Sequence, residues 1–305
     1  AYATNQQGSK DGGAAAALVA CIWDPTSQSG NAKPKTLTLK GNITLDQSAP
    51  SLLDDDRKQI LGSAAAGGLI GRVGSPYRTD NYFALADGTL VLKENCNVRI
   101  NGHMFVNSVG DSRNAGYYGQ DAGGFVGCVN GNLSIEDSSN IIMNISGGKT
   151  SIVANVEHAG GLAGSVVGTV SMNMDDATGY ANFISAVGDG SLEVTAGSVD
   201  GVTAGGLFGK IDNYSNTSVN ITRSAVFGDI TVSSNANAGV AGGLIGQIRG
   251  NMNTHAGWGG TYYSNIRLCF ASVRTVQSQA HAGGLIGYAW DGININNSYS
   301  SGRND

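Results

Sequence analysis

The sequence predicts an all-β fold, a parallel β-helix or β-solenoid with about three strands per rung and glycine-rich corners. Three observations predict it. A six-residue unit, Ala-Gly-Gly-Leu-x-Gly with Phe once in place of Leu, occurs six times along the 305 residues. The stretches between copies are short β-rich runs divided by Gly, Asn, Asp and Ser, the punctuation of strands joined by turns. Helical periodicity is nearly absent; only Leu52 to Leu61, with Asp54-Asp55-Asp56 near its start, reads as a short helix.

The first three copies are Ala66-Gly67-Gly68-Leu69-Ile70-Gly71, Ala122-Gly123-Gly124-Phe125-Val126-Gly127 and Ala159-Gly160-Gly161-Leu162-Ala163-Gly164. The last three are Ala204-Gly205-Gly206-Leu207-Phe208-Gly209, Ala241-Gly242-Gly243-Leu244-Ile245-Gly246 and Ala282-Gly283-Gly284-Leu285-Ile286-Gly287. Their first glycines fall at 67, 123, 160, 205, 242 and 283, so successive copies are 56, 37, 45, 37 and 41 residues apart. A rigid unit with a variable spacer describes a stacked rung carrying loops of different length. The glycines are read as backbone geometry, tight corners with positive φ. A phosphate loop needs a following helix, and strand-like residues follow each copy.

Two positions beyond each Leu or Phe comes Gly, and two further comes Val73, Val129, Val166, Ile211, Ile248 or Ala289. These share one parity, assigned to the interior, with Leu69, Phe125, Leu162, Leu207, Leu244 and Leu285 as one buried column. Arg72, Cys128, Ser165, Lys210, Gln247 and Tyr288 have the opposite parity and are expected to face out. The same outward parity holds Ile70, Val126, Ala163, Phe208, Ile245 and Ile286. An uncovered apolar column of this kind is a candidate association surface, and the expectation is that the chain's own spacers or a partner cover it.

Two regions follow. Residues 61–305 carry the repeats. Residues 1–60 lack the unit but contain the alternating runs Thr36-Leu37-Thr38-Leu39 and Asn42-Ile43-Thr44-Leu45, read as an opening rung and cap. The chain starts Ala1-Tyr2-Ala3, which fits a processed or trimmed start. It stops at Ser301-Gly302-Arg303-Asn304-Asp305 with no polar capping helix in view. A continuing chain, or end-to-end stacking on another subunit, would each complete such a rung.

The last copy extends into Tyr288 and then Ile293-Asn294-Ile295-Asn296-Asn297-Ser298-Tyr299-Ser300-Ser301-Gly302. This resembles the GLUG repeat of bacterial and protist surface proteins, Gly-Gly-Leu-Val-Gly-Tyr followed by Ile-x-Asn-Ser-Tyr-x-x-Gly. The resemblance covers residues 66–302. The other copies keep the glycine half and lose the Asn-Ser-Tyr half, as in Arg223-Ser224-Ala225. Members of that family are surface adhesins, filamentous proteins and non-catalytic regions of immunoglobulin-cleaving peptidases. The resemblance implies a solenoid outside the cell, and it carries no catalytic residue.

Composition narrows the function. Charged residues are 13% of the chain, against roughly 25% in an average globular protein. A net charge of −5 with scattered Lys and Arg offers no stripe to follow a phosphate backbone, which excludes nucleic acid. The longest apolar run, Ala14 to Trp23, is too short for a transmembrane helix. Cys21, Cys96, Cys128 and Cys269 form no CxxC pair, leaving two disulfides in any of three connectivities or four buried thiols. His103, His158, His255 and His281 make no metal ladder, and no Gly-x-Ser-x-Gly or His-Glu-x-x-His unit occurs. Asp54-Asp55-Asp56 and Asp175-Asp176 read as solvated acidic turns, without the alternation a calcium loop needs.

The expected function is therefore structural or adhesive, extracellular or on a cell surface, without catalytic residues, cofactor or metal. The expected partners are a host or matrix protein or glycan, or other copies end to end. Exposed aromatic residues such as Trp258 and Trp290 would favour ligand binding. An outer groove with two carboxylates, or a carboxylate and a Lys, would favour the alternative, a carbohydrate-active β-helix enzyme.

Overall fold

The computed structural model describes residues 2–3, 13–23, 35–47, 59–75, 87–102, 104–110, 120–173, 175, 179–197, 201–212, 218–249, 264–290 and 292–301. Among the described residues every regular element is a strand. Gln59–Gly62 is one of them, so the short helix expected over 52–61 is not formed at its C-terminal end. Its earlier residues, and with them Asp54-Asp55-Asp56, lie outside the described residues.

Among the described residues seven rungs stack, and each visits four parallel sheets in the same order. Sheet 1 is made of very short strands: Ala15–Ala16, Ala66–Gly67, Ala122–Gly123, Ala159–Gly160, Thr203–Gly205, Val240–Gly242 and His281–Gly283. Sheet 2 follows as Val19–Ile22, Ile70–Val73, Val126–Val129, Ala163–Val167, Phe208–Asp212, Ile245–Arg249 and Ile286–Trp290. Sheet 3 runs from Lys35–Leu39 through Gly88–Leu92, Gly131–Ile135, Val170–Met172, Val219–Thr222 and Ser264–Arg267 to Ile293–Asn296. Sheet 4 holds the longest strands, Asn140–Ala154, Asn182–Ala196, Ser224–Ser234 and Phe270–Ser278. Three strands per rung are thus of ordinary length, and the fourth is a two- or three-residue Ala-Gly strand. A strand that short shows no alternation a sequence pattern can register.

Register is strict where the unit repeats. Ala66 pairs with Ala122, Ala122 with Ala159, and Ala159 with Ala204. The first rung obeys the same register without the glycines. Ala15 pairs with Ala66 and Val19 with Ile70, so Ala15-Ala16-Ala17-Leu18-Val19-Ala20 occupies the place of the repeat unit. Residues 1–60 therefore supply a rung of all four sheets.

The unit's glycines are not positive-φ residues; those lie elsewhere, among them Gly74, Gly131 and Gly168 after sheet 2 and Asn173, Arg223, Leu268 and Asn297 after sheet 3. The unit needs glycine for close approach instead. A Cβ on the first glycine of a copy would fall under 3.0 Å from the carbonyl oxygen three residues on, within its own arch. It would also come that close to the amide nitrogen of the third glycine one rung ahead, as Gly160 does to Gly209. A Cβ on the third glycine would meet backbone oxygens of the rung behind. Sheets 1 and 2 thus lie back to back with space for hydrogen only. A Cβ on the second glycine would strike the sheet 4 side chains, Ile184 for Gly161 and Val226 for Gly206.

The interior column is as the pattern implies: Leu69, Phe125, Leu162, Leu207 and Leu244 are buried, and Leu285 in the seventh rung is half-buried. The outward column is a correction. Ile70, Val126, Ala163, Phe208 and Ile245 are all at 0% exposure and belong to the hydrophobic core, with Ile286 half-buried against it. The chain bends at Gly68-Leu69 and its equivalents, between sheets 1 and 2. That bend resets the alternation, so consecutive residues on either side of it are both enclosed. The strand beyond is buried on both faces, which also encloses Arg72, Cys128 and Ser165.

Candidate functional site

Sheet 4 builds a surface from residues of outward parity. Its inward residues Met143, Ile184, Val226 and Ala271 are buried. In the alternate positions Ile142 pairs with Phe183, Phe183 with Ala225, Ala225 with Phe270, and Phe270 with Tyr299. Three aromatic rings thus fall in one outward column, and Phe227 stands in the next. From Phe183 to Tyr299 the column climbs three rungs, about 14 Å at ~4.8 Å per step.

The rings touch. Phe270 and Tyr299 have centroids 4.6 Å apart, Phe183 and Phe227 6.0 Å, and Tyr180, from the corner before the strand, stacks on Phe270 at 6.3 Å. Ala225 is fully buried despite its outward parity, because these rings close over it. Tyr299 keeps 57% exposure and Tyr180 40%, so the strip is open to solvent. Partial burial, then the hydrogen bond and charge of Tyr299, push the Tyr180 phenol up.

Polar groups border the strip on both sides. In the adjacent column Ser185 donates to Asn144 at 3.0 Å, and Ser301 donates to Ser272 at 3.0 Å. On the other side Arg223 pairs with Asp175 at 2.6 Å and donates through Nε to the Gly179 carbonyl. Arg267 donates to the Asp175 carbonyl at 3.2 Å. Asp175, read from sequence as part of a solvated acidic turn, is thus the acceptor that holds two arginines beside Tyr180; Asp176 lies outside the described residues. The aromatic strip itself escaped the sequence reading, since its rings come from four different spacers.

A second polar group is enclosed between sheets 1 and 2. Asp121 precedes a copy of the repeat and is 1% exposed. It accepts from the Ser165 hydroxyl at 2.5 Å and from the His158 amide at 2.9 Å. Burial first, and then the Glu157 charge, push its carboxyl up to about 7; the Ser165 and His158 hydrogen bonds and Lys210 act in the opposite sense. No substrate reaches a carboxyl so placed, and its consequence is for stability. A raised folded pKa means that the folded chain binds the proton more tightly than the unfolded chain does. Stability is then greatest below the ordinary carboxylate pKa and falls as pH rises toward 7. Asp121→Asn removes the charge, keeps an acceptor oxygen for the His158 amide, and turns the other bond round so that its NH2 donates to the Ser165 hydroxyl. Its unfolding free energy should match wild type near pH 4 and exceed it above pH 7 by on the order of a few kcal/mol, with the melting temperature rising in the same sense. Parallel melting curves across that range would show that Asp121 is not desolvated.

The remaining sequence candidates do not converge. The four cysteines are free thiols with no disulfide. Burial pushes the Cys128 thiol up, and that of Cys269 to about 12, so neither is a ready nucleophile at neutral pH. His158 accepts through Nδ1 from the Thr203 amide at 3.2 Å, while His281 is exposed and stacks on Tyr288 at 5.2 Å. Trp290 is 40% exposed and lies under Arg249, 5.0 Å from the guanidinium carbon. His103, His255 and Trp258 lie outside the described residues. Among the described residues no three His, Cys, Asp or Glu side chains are grouped to hold a metal ion, and no helix is long and apolar enough to cross a membrane. No family model matches the chain, and no curated protein or solved structure matches it either.

Proposed function

We propose that the chain is an adhesive β-solenoid of the cell exterior, and that the aromatic strip of sheet 4 holds an uncharged glycan of a host or matrix surface. One observation carries this reading: Tyr180, Phe270 and Tyr299 stand in contact on an outer face, with Phe183 packed on Phe227 beside them and Tyr180 and Tyr299 open to solvent. Aromatic rings with a polar tip suit ligands that are apolar on one face and wet on the other. The hydroxyl and amide groups of Asn144, Ser185, Ser272 and Ser301 border the rings with neutral donors and acceptors. That side suits sugar hydroxyls, while on the other side the arginines are already engaged by Asp175 and the Gly179 carbonyl. The low charge and the resemblance of the last rung to the GLUG repeat support an exterior location.

The test is an array of glycans and matrix proteins probed with wild type and with Phe270→Ala/Tyr299→Ala. Both side chains project outward, so the double variant should fold. Loss of at least tenfold in affinity for the retained glycans, about 1.4 kcal/mol, is the expected result. Unchanged binding by the double variant would place the ligand elsewhere and remove the reading.

A further inference from the structure

The aromatic strip of sheet 4 is part of a longer column. Backward from Phe183 the register runs to Ile142, and from Ile142 to Arg99. One outward line therefore carries Arg99, Ile142, Phe183, Ala225, Phe270 and Tyr299, one residue from each of six successive rungs. It spans five steps, about 24 Å at ~4.8 Å each. The line is straight, because the register shifts of this sheet fall beyond Ile145, Ala186 and Gly228, further along each strand.

The half behind the rings offers different chemistry. Ile142 is half-buried and leaves an apolar step beside Phe183, and Arg99 is exposed. Among the described residues Arg99 has no ion-pair or hydrogen-bond partner, so its fork of N–H donors is left for a ligand. Amides flank this half on both sides. Asn97 and Asn101 stand to either side of Arg99 on its own strand, and Asn140 and Asn144 do the same for Ile142. The Asn97 amide donates to Asn42 at 3.1 Å and the Asn140 amide to Asn97 at 2.5 Å, which holds these side chains in place. Direction follows from the same register. Along a strand the next outward residue after Phe183 is Ser185, and after Phe270 it is Ser272. The large apolar groups succeed one another along the stack instead, with polar groups at their edges. A ligand that covers several of them lies along the axis and is narrow and extended. An equatorially linked, unbranched sugar chain has that form. Its sugars present apolar faces to the protein and hydroxyls at both edges, and each advances by close to one rung spacing.

We infer that the glycan is a linear, uncharged, equatorially linked chain lying along the stack axis, and that Arg99 hydrogen-bonds its hydroxyls two rungs behind Phe183. This rests on the glycan reading and adds to it the ligand's shape, its direction and a second anchor. The guanidinium serves as a set of donors, and the amides around it supply neutral partners for the neighbouring sugars.

Titration calorimetry with cello-oligosaccharides and chito-oligosaccharides of two and of six sugars tests this. In at least one series wild type should bind the hexamer at least tenfold more tightly than the dimer. Arg99→Ala should remove most of that gain and leave both dimer binding and the melting temperature unchanged, since the side chain is exposed. Phe270→Ala/Tyr299→Ala should weaken both lengths. Equal affinity for the two lengths, a hexamer gain that survives Arg99→Ala, or no binding of either series would overturn the axial chain and leave the strip to another glycan. Tighter binding of a uronic-acid hexamer, or retention of branched glycans alone on the array, would do the same. An array on which no glycan is retained would remove the glycan reading and this inference together.

Discussion

Gly205→Ala should unfold the middle of the stack. The added methyl would lie 2.5 Å from the Gly246 amide nitrogen and closer still to the Phe208 carbonyl oxygen. Both are backbone atoms, one in the same arch and one in the next rung, so no side chain is able to turn aside. Relief requires sheets 1 and 2 to part, and every rung beyond would lose its register. Overpacking against a side chain costs about 1–3 kcal/mol; a clash with two fixed backbone segments belongs to the exceptional class, roughly 4 kcal/mol or more. Gly147→Ala is the control. Nothing lies within 4 Å of its added methyl and its φ is not positive, so it should be neutral or stabilising by up to ~1 kcal/mol. In circular dichroism melts Gly205→Ala should fall well below wild type and Gly147→Ala should lie at or above it. Equal melts would mean that the two sheets are further apart than described.

Alanine at position 16 shows how the constraint relaxes. Among the described residues the first rung's sheet 1 strand has a neighbour on one side only, and it stands back. The Ala15 oxygen is 3.1 Å from the place of a Gly71 Cβ, against 2.8, 2.6 and 2.5 Å for the equivalent oxygens of Ala66, Ala159 and Ala204. A rung inside the stack has no such freedom.

Phe208→Ala should cost about 3–5 kcal/mol, the range for deleting a buried aromatic side chain and leaving its cavity. Phe208 is fully enclosed and among the largest such side chains. Its column neighbours Ala163 and Ile245 are pinned by sheet pairing, so collapse into the space is limited. Val187→Ala, at a site 47% exposed, should change stability little. The pair also decides between two meanings of the same residue. A core residue lowers the denaturation midpoint when removed. A surface residue of an assembly face would leave the midpoint alone and change the sedimenting mass.

The repeat, the strand class and the stacking were legible because the glycines recur with one fixed internal spacing. What they do was less legible. Glycine serves positive φ and close approach equally well, and only the placement of Gly205 against Gly246 shows which applies. The opening rung was read from its later strands over Thr36 to Leu45, whereas its first two strands were hidden because Ala15 to Ala20 keeps the small-residue pattern without the glycines. The side assigned to Ile70 and Phe208 was wrong because alternation holds only along an unbroken strand, and the bend at Gly68-Leu69 interrupts it. The aromatic strip had a readable signal. Arg223-Ser224-Ala225, Leu268-Cys269-Phe270 and Asn297-Ser298-Tyr299 are one corner in three spellings: a positive-φ residue, a small inward residue and an outward one. The Ser298 hydroxyl accepts from the Cys269 amide across rungs, which is the structural meaning of Ser in the Asn-Ser-Tyr half.

The claim on which the rest depends is that successive repeat units are neighbours in one parallel stack. Engineered disulfides test it most directly. Ser171 and Asn220 are register partners on sheet 3, and so are Asn220 and Asn265, which places Ser171 and Asn265 two rungs apart. Adjacent parallel strands are ~4.8 Å apart, inside the reach of a disulfide, whereas two rungs span about 10 Å and exceed it. Oxidation followed by peptide mass mapping should find the 171–220 cross-link in Ser171→Cys/Asn220→Cys at high yield, and no 171–265 cross-link in Ser171→Cys/Asn265→Cys. A 171–265 cross-link, or a folded 171–220 variant that fails to close, would contradict the stack.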